Sequence, residues 1–295
     1  KKMYEDKTLD EIKTAHPEFY KFLQEKGFSV PSLEVESEKC IKKWEKEDED
    51  PSSFSLTINP TLDCNMRCWY CYENHQKKRT MSTEISERIF KFISKKMAET
   101  NLKEFDLSFF GGEPLIRYRS IVQPLTEHAC KLAELHQKKM SIGFTTNGYL
   151  LTSTVADYPS SLNVPLHFQK TLDGNEKSHD KIRHTINGSG SYAQILDNCK
   201  QVLLNPLASI TLRCNYTAEN AVTFMDLVSD LEERGITPSS SLHIDFQRVW
   251  QDKGNNDEVE RQIESVQQVL RKKGFSTSDI QAQEKYRCYA ERSNH

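Results

Sequence analysis

Three cysteines within eight residues are the feature of this sequence best suited to chemistry. Cys64, Cys68 and Cys71 have the spacing Cys-x3-Cys-x2-Cys and directly follow a short run of β-type residues. Thiolates bind zinc and iron–sulfur clusters. Three thiolates can bind three irons of one [4Fe–4S] cubane, whereas an electron-transfer cluster ordinarily uses four cysteines. The spacing therefore predicts a metal centre in which one iron is open to an outside ligand.

A structural zinc site is the alternative interpretation of these cysteines. Zinc favours paired Cys-x2-Cys units that together supply four ligands, and the chain has no second pair. His75 could be a fourth ligand, but a zinc site does not account for the motifs described below. The other five of the eight cysteines are scattered, as small core residues usually are, and Cys199 and Cys214 fall on predicted apolar faces.

Three further motifs directly follow predicted strands. They are Phe109-Phe110-Gly111-Gly112-Glu113-Pro114, Thr145-Thr146-Asn147-Gly148 and Thr171-Leu172-Asp173-Gly174. Glycines let the backbone approach a ligand closely, and a glutamate can accept hydrogen bonds from an ammonium group. The carboxyl ends of parallel strands are where α/β enzymes place their ligand sites. These motifs therefore predict a ligand site at the same end of the sheet as the cysteines.

The last of these motifs continues into a longer polar series. It includes His179, Asp180 and Arg183, followed by the run from Gly188 to Tyr192. A structured crossover loop accounts for His179 and Asp180 taken singly. Ser191 is predicted to be the N-cap of the next helix.

Short β-type runs alternate with longer helical patterns from Phe54 onward. We predict strands near 54–59, 104–110, 139–146, 164–172, 208–215 and 241–248. We predict helices near 81–98, 117–137, 150–157, 191–205, 218–234 and 256–274. Strand–helix units in series form a parallel sheet with right-handed crossovers.

Alternation along the strands indicates which kind of parallel sheet this is. Phe54, Leu56 and Ile58 would share one face of the first strand, with polar residues on the other; Arg213 and Asp245 also fall on polar faces. Buried parallel strands are normally apolar on both faces, so a polar face indicates a hydrated concavity, unless the strands lie at exposed edges. The predicted fold is therefore α/β, an open, partial (β/α)6 TIM-like barrel with a short helical N-terminal segment.

Over roughly residues 54–290 the sequence resembles the radical S-adenosylmethionine (SAM) superfamily. The hallmark of that family is this cysteine spacing with an aromatic residue before the last cysteine, here Tyr70. The resemblance implies that the three cysteines hold a [4Fe–4S] cluster whose open iron binds the amino and carboxylate groups of SAM. It also implies that an electron from the cluster cleaves SAM to methionine and a 5′-deoxyadenosyl radical, which takes a hydrogen atom from the substrate.

The resemblance further assigns cofactor-binding roles outside the cysteines. The Gly-Gly-Glu turn would contact the SAM amino group, and the Thr-Asn-Gly stretch would line the SAM pocket, although many relatives have glutamine in place of Thr145. Arg213 and Asn215 resemble an Arg-x-Asn strand of this family, and Arg213 would contact the SAM carboxylate or the substrate, with a buried salt bridge as the alternative. The residues implicated in this way are Tyr70, Gly111, Gly112, Glu113, Thr145, Asn147, Thr171, Asp173 and Arg213.

The series that runs from Asp173 to Tyr192 is similar to the peptide-modifying branch of the superfamily, which includes sulfatase maturases and thioether-forming peptide maturases. This implies a ribosomally made precursor peptide as the substrate, a thioether or other side-chain cross-link as the product, and an external reductant such as flavodoxin or ferredoxin. One alternative is formation of formylglycine in a sulfatase, for which Asp245 is the candidate acidic residue. Another is a non-catalytic Fe–S or zinc peptide-binding module. No catalytic side chain is assigned, because hydrogen abstraction does not require a general base.

The domain organisation follows from where the resemblance is strong. Residues 51–275 are predicted to form the barrel, and residues 1–50 are a charged helical segment that either binds a leader peptide or packs as a cap. Residues 276–295 resemble the start of a cysteine-rich SPASM extension, which carries auxiliary clusters in relatives. Cys288 alone cannot build such a cluster, so one cluster is expected for this chain.

The bulk properties predict a cytoplasmic chain without nucleic-acid or membrane partners. The formal charge is −3, and no apolar stretch approaches the roughly 20 residues that cross a bilayer. The first residues lack the apolar run of a signal peptide. A disulfide framework is not expected in that compartment, where thiols stay reduced.

Overall fold

The computed structural model describes residues 13–26, 38, 41–42, 50–73, 79–152, 155, 163–254 and 256–278. The chain separates into a unit that contains residues 1–50 and a larger unit that starts at Pro51. In the first unit, helix α1 (Pro17–Glu25) begins at a proline, whose missing N–H is tolerated in the first helical turn. The second unit contains the sheet and every candidate site residue that the structure describes.

Parallel strands paired in chain order form the sheet of the second unit. The strands are β1 (Ser53–Ile58), β2 (Glu104–Phe109), β3 (Lys139–Thr145), β4 (Leu166–Leu172), β5 (Ala208–Tyr216), β6 (Leu242–Arg248) and β7 (Ser276–Thr277). In the described part of the chain, β1 and β7 are the two edges, so the sheet is open and the predicted α/β partial barrel is confirmed. The seventh strand was not predicted, because two residues are too short to show an alternating pattern.

Helices follow most strands close to the predicted positions. They are α2 (Thr83–Met97), α3 (Gln123–Leu135), α4 (Glu176–Ile182), α5 (Tyr192–Leu203), α6 (Phe224–Glu233) and α7 (Asn256–Lys272). Residues 153–154 and 156–157 of the helix predicted near 150–157 lie outside the described residues. No helix in the described ranges is both long enough and apolar enough to cross a bilayer.

Two of these helices differ from the prediction. The segment predicted as one helix near 117–137 starts as a 3-10 turn (Pro114–Arg117) and a π turn (Tyr118–Val122) before α3. Helix α4 was predicted as part of a crossover loop, but its first turn is capped by Asn175, whose side chain accepts from the Ser178 N–H at 3.0 Å.

The two faces of the sheet differ as the alternation predicted. On the outer face, Phe109, Phe144 and Phe168 stack across three strands with ring centroids 5.4 and 5.1 Å apart. The inner face carries polar side chains that hydrogen-bond across strands, such as Ser55 and Ser141 with Asp106. One exception is Lys170, a buried residue on the outer face whose ammonium group lies 3.5 Å from the thiol of Cys199.

Candidate active site

The three cysteines lie in a loop across the carboxyl ends of the strands. This cysteine loop, residues 59–73, starts where β1 ends and contacts the segments that follow β2, β4 and β6. Asn65 O accepts from Ile186 N at 2.9 Å, and Tyr70 O accepts from the Gln251 side chain at 3.0 Å. The loop therefore covers the end of the sheet at which parallel α/β folds place their ligand sites.

Gly111 and Gly112 pack against the first half of this loop. Gly112 N donates to Thr61 O at 3.0 Å, and Glu113 N donates to Asp63 O at 2.9 Å. A Cβ on Gly112 would lie 2.6 Å from Leu62 O and closer still to Asp63 O. The described contacts thus give this glycine a role in packing two backbones together, and the predicted contact with SAM remains a prediction.

Glu113 is buried behind the cysteine loop with its carboxylate fully engaged. One oxygen accepts from Leu115 N at 3.0 Å and from Thr146 Oγ1 at 2.8 Å, and the other accepts from Asn147 N at 2.8 Å. Burial raises the pKa of this carboxyl, while these hydrogen bonds lower it. The side chain therefore ties the turn after β2 to the turn after β3; its predicted bond to the SAM ammonium group stays a prediction.

Asn147 connects the end of β3 to the first cysteine. Its amide nitrogen lies 2.7 Å from Asn65 Oδ1 and 3.8 Å from the Cys64 sulfur, to which Met66 N also donates at 3.4 Å. Donors to a ligand sulfur stabilise its anionic form. Asn147 was predicted to line the SAM pocket, and in the structure it also supports a predicted cluster ligand.

Tyr70 joins the second half of the loop to β4 and β5. Its hydroxyl donates to Asp173 Oδ2 at 2.6 Å and accepts from Arg183 Nη1 at 2.8 Å and Asn215 Nδ2 at 3.2 Å. Asp173 and Arg183 are both buried, and burial raises the pKa of Asp173 to about 6 despite the neighbouring guanidinium. Two predicted residues, Tyr70 and Asp173, are thus in direct contact.

The remaining predicted residues lie on the inner face of the sheet below the loop. Thr145, Thr171 and Arg213 are half-buried, and Thr171 and Arg213 are paired in register on β4 and β5. Arg213 donates to Asn215 Oδ1 at 3.1 Å, which links it to the Tyr70 cluster. These positions border a polar concavity that remains accessible to solvent.

The cysteine thiols themselves are partly withdrawn from water. Burial raises the pKa of Cys64 to about 11 and also raises that of Cys68. Within the described ranges, no three histidine, cysteine or acidic side chains converge as ligands of a single metal ion. A four-iron cluster does not need such convergence, because each thiolate binds a different iron. His75, the possible fourth zinc ligand, lies outside the described residues.

Buried polar atoms without partners test whether a cofactor fits here. Among the described residues, Asn65 Nδ2, Asp173 Oδ1 and Arg183 Nε are buried and have no hydrogen-bond partner. Buried polar atoms without a partner are rare in folded proteins, and a ligand or water molecule usually binds them. Two donors and one acceptor around the cysteine loop fit a cofactor that, like SAM, carries carboxylate and hydroxyl groups. The residues present therefore fit SAM and an iron–sulfur cluster.

The chain belongs to the radical SAM superfamily. The model of the radical SAM superfamily matches residues 58–227, which is more than half of the chain. That range includes the cysteine loop and every residue predicted to bind the cluster or SAM. The family implies SAM and a [4Fe–4S] cluster as cofactors.

Two curated proteins are similar to this chain over about half of its length. The radical SAM cyclopropyl synthase TigE of Paramaledivibacter caminithermalis is 27% identical over 176 residues, which cover 55% of this chain and 34% of TigE. A cysteine-type anaerobic sulfatase-maturating enzyme of Clostridium novyi is 27% identical over 162 residues, which cover 50% of this chain and 40% of that enzyme. The chain thus spans well under half the length of these curated relatives.

Solved structures share the fold at lower identity. The AdoMet-bound structure of anSMEcpe aligns with a TM-score of 0.60 and 18% identity, covering 76% of this chain and 63% of that one. Streptococcus suis SuiB, bound to its precursor peptide SuiA, aligns with a TM-score of 0.53 and 16% identity, covering 89% of this chain and 62% of SuiB. At this identity the likeness establishes the fold only.

Sequence reasoning named most of this site but not all of it. Arg183 and Asn215 were noted as parts of motifs and not as site residues, and Asn65 was not singled out. The polar face of β5 was a usable signal for Asn215. No local pattern marks Asn65, because its position matters only once β3 lies beside the cysteine loop.

Proposed function

We propose that this chain is the SAM-binding catalytic part of a radical SAM peptide maturase. Its substrate is a ribosomally made precursor peptide, and its product carries a thioether or another side-chain cross-link. The observation that carries the proposal is the cysteine loop itself, which covers the carboxyl ends of an open parallel sheet whose inner face is polar. The similarity to TigE supports radical SAM chemistry, and the similarity to a sulfatase-maturating enzyme supports a polypeptide as the substrate.

In this proposal, Cys64, Cys68 and Cys71 hold one [4Fe–4S] cluster. Bound together, the cluster and SAM supply a 5′-deoxyadenosyl radical that removes a hydrogen atom from the peptide. A flavodoxin- or ferredoxin-like protein supplies the electron. Asp173 and Arg183 offer their unpaired buried atoms to SAM.

The peptide would lie over the half-buried polar residues of the inner face. Arg213 and Asn215 sit at the upper end of that face, beside Tyr70. A thioether forms when the cysteine sulfur of the peptide bonds to the carbon that lost hydrogen. One hydrogen atom goes to the deoxyadenosyl radical, the thiol proton goes to solvent, and the remaining electron would return to the oxidised iron–sulfur cluster. No residue of the chain is assigned as a base.

Formylglycine formation in a sulfatase is the second candidate. It is favoured by Asp245, which lies on the inner face in register with Arg213 and accepts hydrogen bonds from Gln247 and Ser278. The relative in Clostridium novyi also supports it. The two products differ in sulfur: a thioether keeps the cysteine sulfur of the peptide, whereas conversion of cysteine to formylglycine removes it.

The test is SAM cleavage by the anaerobically reconstituted protein with dithionite as reductant. Wild type is expected to form 5′-deoxyadenosine, Cys68→Ala is expected to form none, and Cys130→Ala, which removes a buried thiol in α3, is expected to match wild type. Deoxyadenosine formation by Cys68→Ala at the wild-type rate would overturn the proposal. Mass spectrometry of a cysteine-containing precursor peptide then distinguishes the two products.

A further inference from the structure

The hydroxyl of Tyr70 is the meeting point of three separate elements. It bonds to Asp173 at the end of β4, to Arg183 after α4, and to Asn215 at the end of β5. A phenol hydroxyl has one proton to donate and two lone pairs that accept. All of that capacity is used, so this one atom ties the cysteine loop to the rest of the unit.

A second chain of hydrogen bonds fixes two of those three partners. His179 Nδ1 lies 3.2 Å from Asp173 N, and His179 Nε2 lies 2.9 Å from Ser191 Oγ, which itself donates to Arg183 O at 2.5 Å. Because the serine proton goes to that carbonyl, Nε2 must carry the proton and Nδ1 must accept. The buried neutral imidazole therefore spaces Asp173 and Arg183 around the tyrosine.

The two halves of the cysteine loop are anchored differently. Contacts to Gly112, Glu113 and Asn147 hold the half with Cys64. The described hydrogen bonds from the other half to the rest of the unit run through Tyr70, by its hydroxyl and by its carbonyl to Gln251, and the exposed ring of Tyr72 stacks on Phe110. Cys68 and Cys71 lie on either side of that residue.

We infer that Tyr70 is a positioning residue whose hydroxyl holds Cys68 and Cys71 in place for the cluster, and that His179 acts through it. The inference rests on the proposed cluster but assigns a role to this chain's own residues. Groups that orient metal ligands typically affect metal retention as strongly as activity. The ring of Tyr70 remains free to line the pocket, while its hydroxyl serves the loop.

The test compares Tyr70→Phe with Tyr192→Phe in the reconstituted protein. Tyr192 is a matched control, since it is a buried tyrosine whose hydroxyl donates to a carboxylate, Asp230 Oδ2, at 2.6 Å. Iron release to a ferrous chelator is followed anaerobically, without SAM or peptide. Tyr70→Phe is expected to release iron roughly tenfold faster than wild type, and Tyr192→Phe within about twofold of wild type. Equal release by the two variants would overturn the inference.

A second pair of variants separates position from charge. Asp173→Asn keeps an oxygen that accepts from the Tyr70 hydroxyl, whereas Asp173→Ala removes it. We expect slow iron release from the first variant and fast iron release from the second; equally fast release from both would contradict a positioning role.

The iron-release readout is also independent of turnover: a chain that retains iron but forms no deoxyadenosine contradicts the proposed function alone. Normal deoxyadenosine with unaltered release in Tyr70→Phe and Asp173→Ala contradicts this inference alone.

Discussion

At the residue scale, two buried carboxylates of the site differ in how their oxygens are satisfied. Glu113 receives three hydrogen bonds, from two backbone N–H groups and one hydroxyl. Asp173 has one oxygen on Tyr70 and one with no partner among the described residues. The carboxylate of Glu113 is thus satisfied within the protein, whereas Asp173 keeps a buried oxygen that destabilises the fold unless something binds it.

Replacing Glu113 by glutamine should destabilise the fold. The NH₂ group of the new amide would face a group that now donates a hydrogen bond to the carboxylate. Losing that bond in the buried site should cost about 1–3 kcal/mol of folding free energy. The measurement is the free energy of unfolding from urea denaturation. Glu104→Gln is the control, because its ion pair with Lys139 is solvent-exposed and such pairs contribute at most about 1 kcal/mol. Equal losses in both variants would contradict the assigned role of Glu113.

Replacing Gly112 by alanine should displace the cysteine loop. The new Cβ would collide with two backbone carbonyls of that loop, which cannot rotate away. We expect a loss of about 1–3 kcal/mol in the free energy of unfolding and less iron bound per chain. Gly143→Ala is the control, since its Cβ would meet only the flexible side chain of Ser108. Full iron loading of Gly112→Ala would show that the loop tolerates the added carbon.

At the element scale, the crossover between β4 and β5 is built to hold the site. Asp180 accepts from Ser191 N at 2.7 Å and Tyr192 N at 2.9 Å, and so caps α5. Ser191 occupies the N-cap position, but its side chain makes no capping bond, so that predicted function was wrong. Its hydroxyl is instead committed to the bonds with His179 and Arg183. Gly190 is required there, because a Cβ would collide with the Asp180 carboxylate.

Protonation of His179 should weaken this crossover. Burial, together with the charge of Arg183, holds the pKa of His179 well below its ordinary value of 6.5. The unfolded chain takes up a proton near that ordinary value, so this contribution to stability is complete above it and is lost as the pH falls below it. The free energy of unfolding of wild type should fall more steeply between about pH 7 and pH 5 than that of His179→Asn, by up to about 1.4 kcal/mol per pH unit. Parallel pH profiles would show that His179 is not buried neutral.

The hydrogen bonds within the crossover between β4 and β5 also lead us to expect coupling between His179 and Tyr70. If the histidine acts through Tyr70, removing both side-chain functions should speed iron release little more than removing one. The measurement is a double-mutant cycle of Tyr70→Phe and His179→Asn. Multiplicative effects on the release rate would show two independent contributions.

At the scale of the whole molecule, the two faces of the open sheet have different roles. The outer face packs aromatic and aliphatic side chains against helices, and the inner face keeps polar groups accessible. The cysteine loop bridges elements from both ends of the strand order, since it follows β1 and contacts the segment after β6. Loading the cluster is therefore expected to stabilise the whole unit and not one loop.

Removing the cluster should lower the melting temperature of the chain. Ligands that bind only the folded state stabilise it by mass action, and thiolate ligation couples metal binding to folding. The anaerobically reconstituted protein should melt several degrees higher than the chelator-treated protein. The variant with Cys64, Cys68 and Cys71 all replaced by alanine should show no such difference. A difference that persists in this variant would place the stabilising iron elsewhere.

The sequence by itself determined the kind of sheet, its polar face and the position of the predicted cluster site. The series of strand–helix units predicted a parallel α/β sheet, and alternation within strands, as at Phe54, Leu56 and Ile58, predicted its polar face. The three cysteines likewise lie within eight residues of one another. Lys170 shows the limit of such patterns, because a lysine on a buried face is understood only from the thiol beside it.

Tertiary structure alone decided how the site residues are held. Tyr70 and its partners Asp173 and Asn215 are 103 and 145 residues apart in the chain, so no local spacing can predict their contacts. Gly112 packs against the backbone of the cysteine loop, a contact that its motif did not predict. The reason is the same in both cases: strand order and sheet curvature bring the carboxyl ends of distant strands together, and hydrogen bonds form only after that approach.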